Sequence, residues 1–208
     1  MSAKTITIGV TGASGALLAR SALRLLERDA RVSRVHLVIT EAGQRLLTQE
    51  LGISLQEPKQ TPALIAGMQT AKTEILPNRD IGATIASGSQ PVDGMAVIPC
   101  SAGTLASIAN GTSEDLLARA ADVCLKERRP LVLCLRETPL SRIHIENMLR
   151  VTSAGAVVMP VIPAFYFGPQ TIDDLVEQYV CRVLAQLGLP QDQQYHWEGS
   201  GKSRSREA

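Results

Sequence analysis

Lys4-Thr5-Ile6-Thr7-Ile8-Gly9-Val10 runs directly into Thr11-Gly12-Ala13-Ser14-Gly15. The first seven residues alternate β-branched side chains, as a strand does, and the next five form a glycine-rich turn. Leu18, Ala22, Leu25 and Leu26 then mark one face of a helix. Strand, turn and helix in this order leave unpaired backbone amides and a positive helix end at the turn, a ready site for an anion. With Gly9 the spacing is G-x-x-G-x-x-G, which departs from the dinucleotide pattern G-x-G-x-x-G, and no G-x-x-x-x-G-K-[ST] loop occurs. A purely structural turn therefore stands beside the anion-binding reading at this point.

Outward from this unit the same alternation continues. Val35 to Thr40 reads as a second strand and Glu41 to Glu50 as a helix; 51–80, punctuated by Pro58, Pro62 and Pro77, read as loops around one short helix. Met95 to Cys100 and Leu131 to Arg136 are short, almost wholly apolar runs, which suits parallel strands buried on both faces. Helical patterns fall at about 102–109, 114–127 and 141–153. The last helix is marked by Ile172, Leu175, Val176, Tyr179, Val180, Val183, Leu184 and Leu187, with Thr171 and Asp174 at its start and Gly188 and Pro190 at its end. The expected fold is a single-domain Rossmann-like α/β protein over 1–199, a doubly wound open parallel sheet with helices on both faces. Residues 200–208 are expected to be a disordered tail.

Composition narrows the function. The chain has 208 residues, 45% apolar and 20% charged, with a net charge of +1. These are globular values, and they supply no concentrated basic surface for nucleic acid or an anionic membrane. Cys100, Cys124, Cys134 and Cys181 form no C-x-x-C pair, so buried reduced thiols are expected in place of a zinc site or disulfides. The N-terminus enters a strand pattern without a signal-like apolar stretch, and no apolar run approaches about 18 residues. A cytoplasmic location is expected. Phe165, Tyr166, Phe167, Tyr179, Tyr195 and Trp197 are all the aromatics, and they gather near the C-terminal end. A ligand wall and a subunit interface are the two candidate uses for Phe165 and Phe167.

A second strand-to-helix junction, Cys100-Ser101-Ala102-Gly103-Thr104, places Ser101 at an N-cap with Thr104 one turn later. Two such junctions at the carboxyl ends of parallel strands converge on the crevice where open α/β sheets bind ligands. Arg136 ends an apolar strand and is followed by Glu137, which suits a guanidinium to bidentate phosphate binding at that edge. Arg182 lies in line with Leu175 and Tyr179 on the last helix and calls for an anionic partner. Lys126, Arg128 and Arg129 can neutralise a helix end. Asp173-Asp174-Leu175-Val176-Glu177 imitates a magnesium-diphosphate motif, but its acids cap the first turn of a helix and are read as such. His36, His144 and His196 lack metal or triad spacing.

Taken together, Thr11-Gly12-Ala13-Ser14-Gly15, Ala86-Ser87-Gly88-Ser89, Pro99-Cys100-Ser101 with Thr104, Arg119-Ala120-Ala121-Asp122-Val123, Lys126-Glu127-Arg128-Arg129-Pro130, Arg136-Glu137-Thr138-Pro139 and Pro163-Ala164-Phe165-Tyr166 resemble the flavin prenyltransferase (UbiX) family. The resemblance extends from about residue 5 to Trp197 in unchanged order. It implies transfer of a dimethylallyl group from dimethylallyl phosphate to reduced FMN, with bonds to flavin N5 and C6, release of phosphate and no metal. Carried over by position, Gly12, Ala13, Ser14, Thr40, Ser101, Ala102, Gly103, Thr104 and Arg136 would hold FMN. Lys126, Arg136, Glu137, Tyr166 and Arg182 would surround the prenyl phosphate, Ser14 and Glu50 would move protons, and Trp197 would face the allylic carbon through cation–π attraction. The resemblance also implies a homododecamer whose sites neighbouring subunits complete, and a UbiD-type decarboxylase as user of the product. Ile81, where family variants have Trp, and Phe167, where His is common, alter pocket shape more than charge. A flavin-dependent decarboxylase and a noncatalytic FMN-binding or delivery protein are the alternatives. The first lacks its P-x-M-N-x-x-M-W motif here, and the second has no need of the extra cations.

Overall fold

A computed structural model describes residues 3–196. The expected 200–208 tail and Trp197 lie outside the described residues. In chain order the elements are β1 (Lys4–Val10), α1 (Ala16–Arg28), β2 (Val32–Ile39), α2 (Glu41–Leu51), α3 (Thr61–Ala66), β3 (Thr73–Pro77), β4 (Gly94–Cys100), α4 (Ala102–Asn110), α5 (Leu116–Lys126), β5 (Leu131–Leu135), α6 (Arg142–Ala154), β6 (Val157–Val158) and α7 (Ile172–Gln186). The six strands form one parallel sheet in the order β3-β2-β1-β4-β5-β6. The order reverses direction between β1 and β4, which opens a crevice at their carboxyl ends.

Side-chain alternation along β1 explains the two layers. Ile6, Ile8 and Val10 enter one core with Leu23, Leu26, Val180 and Leu184 from α1 and α7. On the other face, Met95, Val97, Leu131 and Leu133 pack against Leu116, Leu117 and Ala121 of α5. Gly9 lies on that second face, and a Cβ there would sit 2.9 Å from Leu117 Cδ1, so α5 approaches the sheet over a position that must be bare. Tyr179 is the one aromatic in the buried core of the described residues. All four cysteines are free and buried.

Two strands, β3 and β6, were not legible in the sequence. β3 is a half-exposed edge strand with Glu74 on its face and Pro77 at its end; β6 is two residues long. β3 offers no continuous apolar run, because an edge strand needs burial on fewer sides, and β6 is too short to show a strand period. The single short helix expected within 51–80 is α3.

Across the α5 face of the sheet, Glu74, His36 and Thr7 lie side by side on adjacent strands. His36 is 5% exposed, and its Nε2 is 3.1 Å from Glu74 Oε1, while its Nδ1 and the neighbouring Thr7 Oγ1 have no partner. Burial pushes the imidazole pKa down, and the nearby Arg34 adds to this, whereas Glu74 opposes it. Since the folded value lies below the ordinary 6.5, the unfolded chain binds the proton first. The contribution of His36 to stability is therefore complete above pH 6.5 and declines as the pH falls below it. Urea midpoints measured at pH 7.5 and 5.5 should drop at the lower pH, and His36→Asn should shrink that difference; an equal difference in both proteins would remove His36 as its origin.

Candidate active site

Three helices begin at the crevice, each with a capping side chain. Thr40 accepts the Gly43 amide at the start of α2, Ser101 accepts the Thr104 amide at the start of α4, and Asp115 accepts the Ala118 amide at the start of α5. Between them lies a cavity of about 340 Å³ whose walls include Gly12, Thr40, Ser101, Gly103 and Thr104. Its hydroxyls and helix-start amides can receive an anion whose charge the helix ends balance, while Glu114 and Asp115 make another part of the wall acidic.

The α1 start is different from the sequence expectation. The Glu50 carboxylate, from the last turn of α2, accepts the Gly15 amide at 3.1 Å and the Ala16 amide at 2.8 Å, both through Oε2. The Ala13 amide is turned back onto the Thr11 carbonyl at 2.9 Å. The protein thus supplies its own anion to the α1 terminus, and the Gly15 and Ala16 amides are already occupied. Open amides lie instead at the α4 start, where Ala102 and Gly103 occupy the first turn and a Cβ on Gly103 would meet nothing within 4 Å. Gly12 has a packing reason of its own: a Cβ there would stand 2.5 Å from the Cβ of Ala42.

Glu50 is the centre of a second constellation. Burial favours its neutral form, but the Ser14 hydroxyl, the two α1 amides and the charge of Arg136 outweigh this and hold its pKa below the ordinary carboxylate value. Arg136 follows β5, its amide bonded to the Cys100 carbonyl at 3.0 Å. Its Nε is buried with no hydrogen-bond partner. A guanidinium in that state is an incomplete anion site. Glu137, half-buried beside it, accepts the Thr138 amide at 3.1 Å. Ser14, Glu50 and Arg136, far apart in the chain, are therefore neighbours at the same sheet edge.

Tyr166 and Arg182 line a separate shallow pocket with Phe167, Gln178, Tyr179 and Tyr195. The Tyr195 ring lies 5.5 Å from that of Tyr166, and Gln178 holds the C-terminal segment through the Gln193 carbonyl and the Tyr195 amide. Arg182 is exposed, between the buried Cys181 and Val183. Phe165 is 67% exposed and so carries no part of this chain's core.

Lys126 is not brought to the crevice. It ends α5 at the sheet edge where β5 begins, while Arg136 follows the opposite end of β5, a strand length of roughly 16 Å away. There Lys126 pairs with Glu127, and both side chains crowd Gly88. A site containing both cations therefore cannot be drawn from the pocket of one chain. Sequence reasoning also missed Ser107, Thr112, Glu114 and Asp115 as cavity walls. Asp115, before Leu116-Leu117, carried a readable N-cap signal, but its place at the crevice depends on how α5 returns to the sheet.

Fold and site define a doubly wound α/β protein with a hydroxyl- and amide-lined cavity at its topological switch point. The flavoprotein family model matches residues 1–184. The flavin prenyltransferase UbiX of Salmonella typhimurium is 44% identical over 199 residues, covering 95% of this chain and all of the relative, and that of Pseudomonas aeruginosa is 43% identical over 197 residues, covering 92% and 93%. The crystal structure of AnUbiX (PadA1) in complex with FMN and dimethylallyl pyrophosphate is 41% identical with a TM-score of 0.83, over 95% of this chain and 98% of that one. The dodecameric FMN-dependent UbiX-like decarboxylase of Escherichia coli O157:H7 is 42% identical with the same TM-score, over 94% and 100%. The chain belongs to the flavin prenyltransferase (UbiX) family. Likeness to the cysteine decarboxylase TvaF, at 14% identity and a TM-score of 0.58, reflects the shared fold alone.

Proposed function

We propose that the protein transfers a dimethylallyl group from dimethylallyl phosphate to reduced FMN, joining N5 and C6 and releasing phosphate. The observation that carries this reading is the pairing, at one sheet edge, of a helix-start cavity with the half-buried Arg136, whose buried Nε lacks a partner. The donor set fits FMN: the hydroxyls of Thr40, Ser101 and Thr104 and the first amides of α4 suit its phosphate, with Gly12, Ala13 and Ser14 forming the adjoining wall. When bound, the reduced flavin supplies an electron-rich ring system. Arg136, with Arg182 and Lys126, supplies positive charge where the leaving phosphate gathers negative charge. Glu137 and Tyr166 orient that group, Glu50 holds a proton-accepting carboxylate beside Ser14, and Trp197 is assigned to the allylic carbon.

Lys126 would come from a neighbouring copy. The dodecameric state described for the Escherichia coli relative supports a homo-oligomer, and α6 exposes Ile143 and Leu149, each about two-thirds accessible, as apolar contact surface. Subunit mixing tests this. Lys126→Ala and Arg136→Ala proteins, each strongly impaired alone, should regain part of the parent activity when their subunits are exchanged, since some sites then hold both cations. No regain after verified exchange would place both groups within one chain.

Residues 1–199 would act as one flavin-binding domain in the cytoplasm, where the four thiols stay reduced, and a UbiD-type decarboxylase would use the product. Among the described residues no helix is long and apolar enough to cross a membrane. The deciding experiment is anaerobic incubation with reduced FMN and dimethylallyl phosphate, followed by mass spectrometry of the flavin. A prenylated flavin is expected, with equal yield after exhaustive chelation. An unchanged flavin mass would overturn the reading, and a strict need for magnesium would overturn its metal-free form.

A further inference from the structure

Thr11 carries the most concentrated use of a single side chain at the crevice. It is 1% exposed. Its Oγ1 donates to the Pro99 carbonyl at 2.9 Å and accepts the Ser101 amide at 2.8 Å, and its own amide lies 3.3 Å from the same Pro99 carbonyl. The pairing of β1 with β4 reaches only to Gly9 and Val97. Beyond that point the two chains diverge towards the α1 and α4 starts, and the Thr11 hydroxyl spans the gap.

This bridge has two consequences. It anchors Ser101, the residue whose Oγ caps α4 by accepting the Thr104 amide at 3.2 Å and donates to Thr104 Oγ1 at 3.1 Å. It also commits the Ser101 amide to the protein, so an anion at this helix start is left with the Ala102 and Gly103 amides and the two hydroxyls. The wall holding Gly12 and the wall holding Ser101 to Thr104 are consequently tied at one separation.

We propose that Thr11 is a positioning residue for the flavin phosphate: its hydroxyl sets the spacing and orientation of the two walls of the phosphate cavity, without touching the ligand. The proposal rests on the flavin reading above. It separates the hydroxyl from the mere bulk of the side chain, because valine has the same shape and can make neither bond.

The test is titration of oxidised FMN with no prenyl donor present, so that binding is read apart from transfer. Thr11→Val should raise the FMN dissociation constant roughly tenfold or more, the size expected when a buried amide and carbonyl lose their partner. At saturating FMN its KM for dimethylallyl phosphate should stay within about twofold of the parent, and Thr11→Ser, which keeps the hydroxyl, should bind FMN nearly as the parent does. Equal affinity of Thr11→Val and parent, or equal weakening by Val and Ser, overturns the proposal. Should Thr11→Val not fold, hydrogen exchange of the Ser101 amide in the unmodified protein without FMN decides: protection is expected, and exchange at the rate of an open amide overturns it. Failure of the parent itself to bind FMN would sink the flavin reading, a different result from a parent that binds and a valine variant that binds equally well.

Discussion

Arg136→Ala is expected to slow prenyl transfer by roughly 10²- to 10³-fold at saturating FMN, the cost of removing a preorganised charge from the point where charge develops. The physical reason is the state of the guanidinium. It stands at the end of a wholly buried strand, is linked to Cys100 through its backbone, and keeps a buried Nε without a partner. Such a group is costly unless a ligand completes it. Arg136→Lys should recover little, because an ammonium cannot present two parallel N–H groups to a phosphate. Single-turnover mass spectrometry of the flavin, with bound FMN measured separately, checks the result. Transfer within a few-fold of the parent would show that Arg136 does not face the leaving phosphate.

Glu50→Gln is expected to leave FMN bound while slowing product formation by about 10²-fold or more, as loss of a positioned general base does. Glutamine can still accept the Gly15 and Ala16 amides through its one oxygen, so the α1 start is retained. What disappears is the negative charge and its basicity. Full activity in this variant would remove Glu50 from the proton path.

The pH profile sharpens the same prediction. Glu50 has a folded pKa below its ordinary 4.5, because burial is outweighed by the Ser14 hydroxyl, the two α1 amides and Arg136 together, so the free protein carries it ionised in the neutral range. Its contribution to stability is complete above pH 4.5 and is lost as the pH falls through the lower folded value. In Glu50→Gln that acid-dependent share should be gone.

Much of the scaffold was readable because its signals are local. The alternation in Lys4–Val10, the apolar runs that became β4 and β5, and the Thr171/Asp174 start of α7 each express a preference settled within a few residues. β3 escaped because an edge strand at 73–77 tolerates Glu74 and Pro77. The Gly12 to Gly15 turn was located correctly but the carboxylate that takes up its last amides was not foreseen, since an anion-ready helix start looks the same in sequence whether a ligand or a distant carboxylate fills it. Glu50 lies thirty-four residues from Ala16 along the chain, and only packing of α2 beside α1 reveals that it does so.

By itself, then, the order of residues determined the alternating strands and helices, the two hydroxyl-bearing junctions, and the family to which its motifs point. Tertiary structure decided which helix start remained open, that Glu50, Ser14 and Arg136 share one corner, and that Lys126 stands at the other edge of the sheet. The division follows from range. Backbone preference and hydrophobic period act between near neighbours, whereas hydrogen-bond partners and charge neighbours are chosen by whatever the folded sheet brings within a few ångströms.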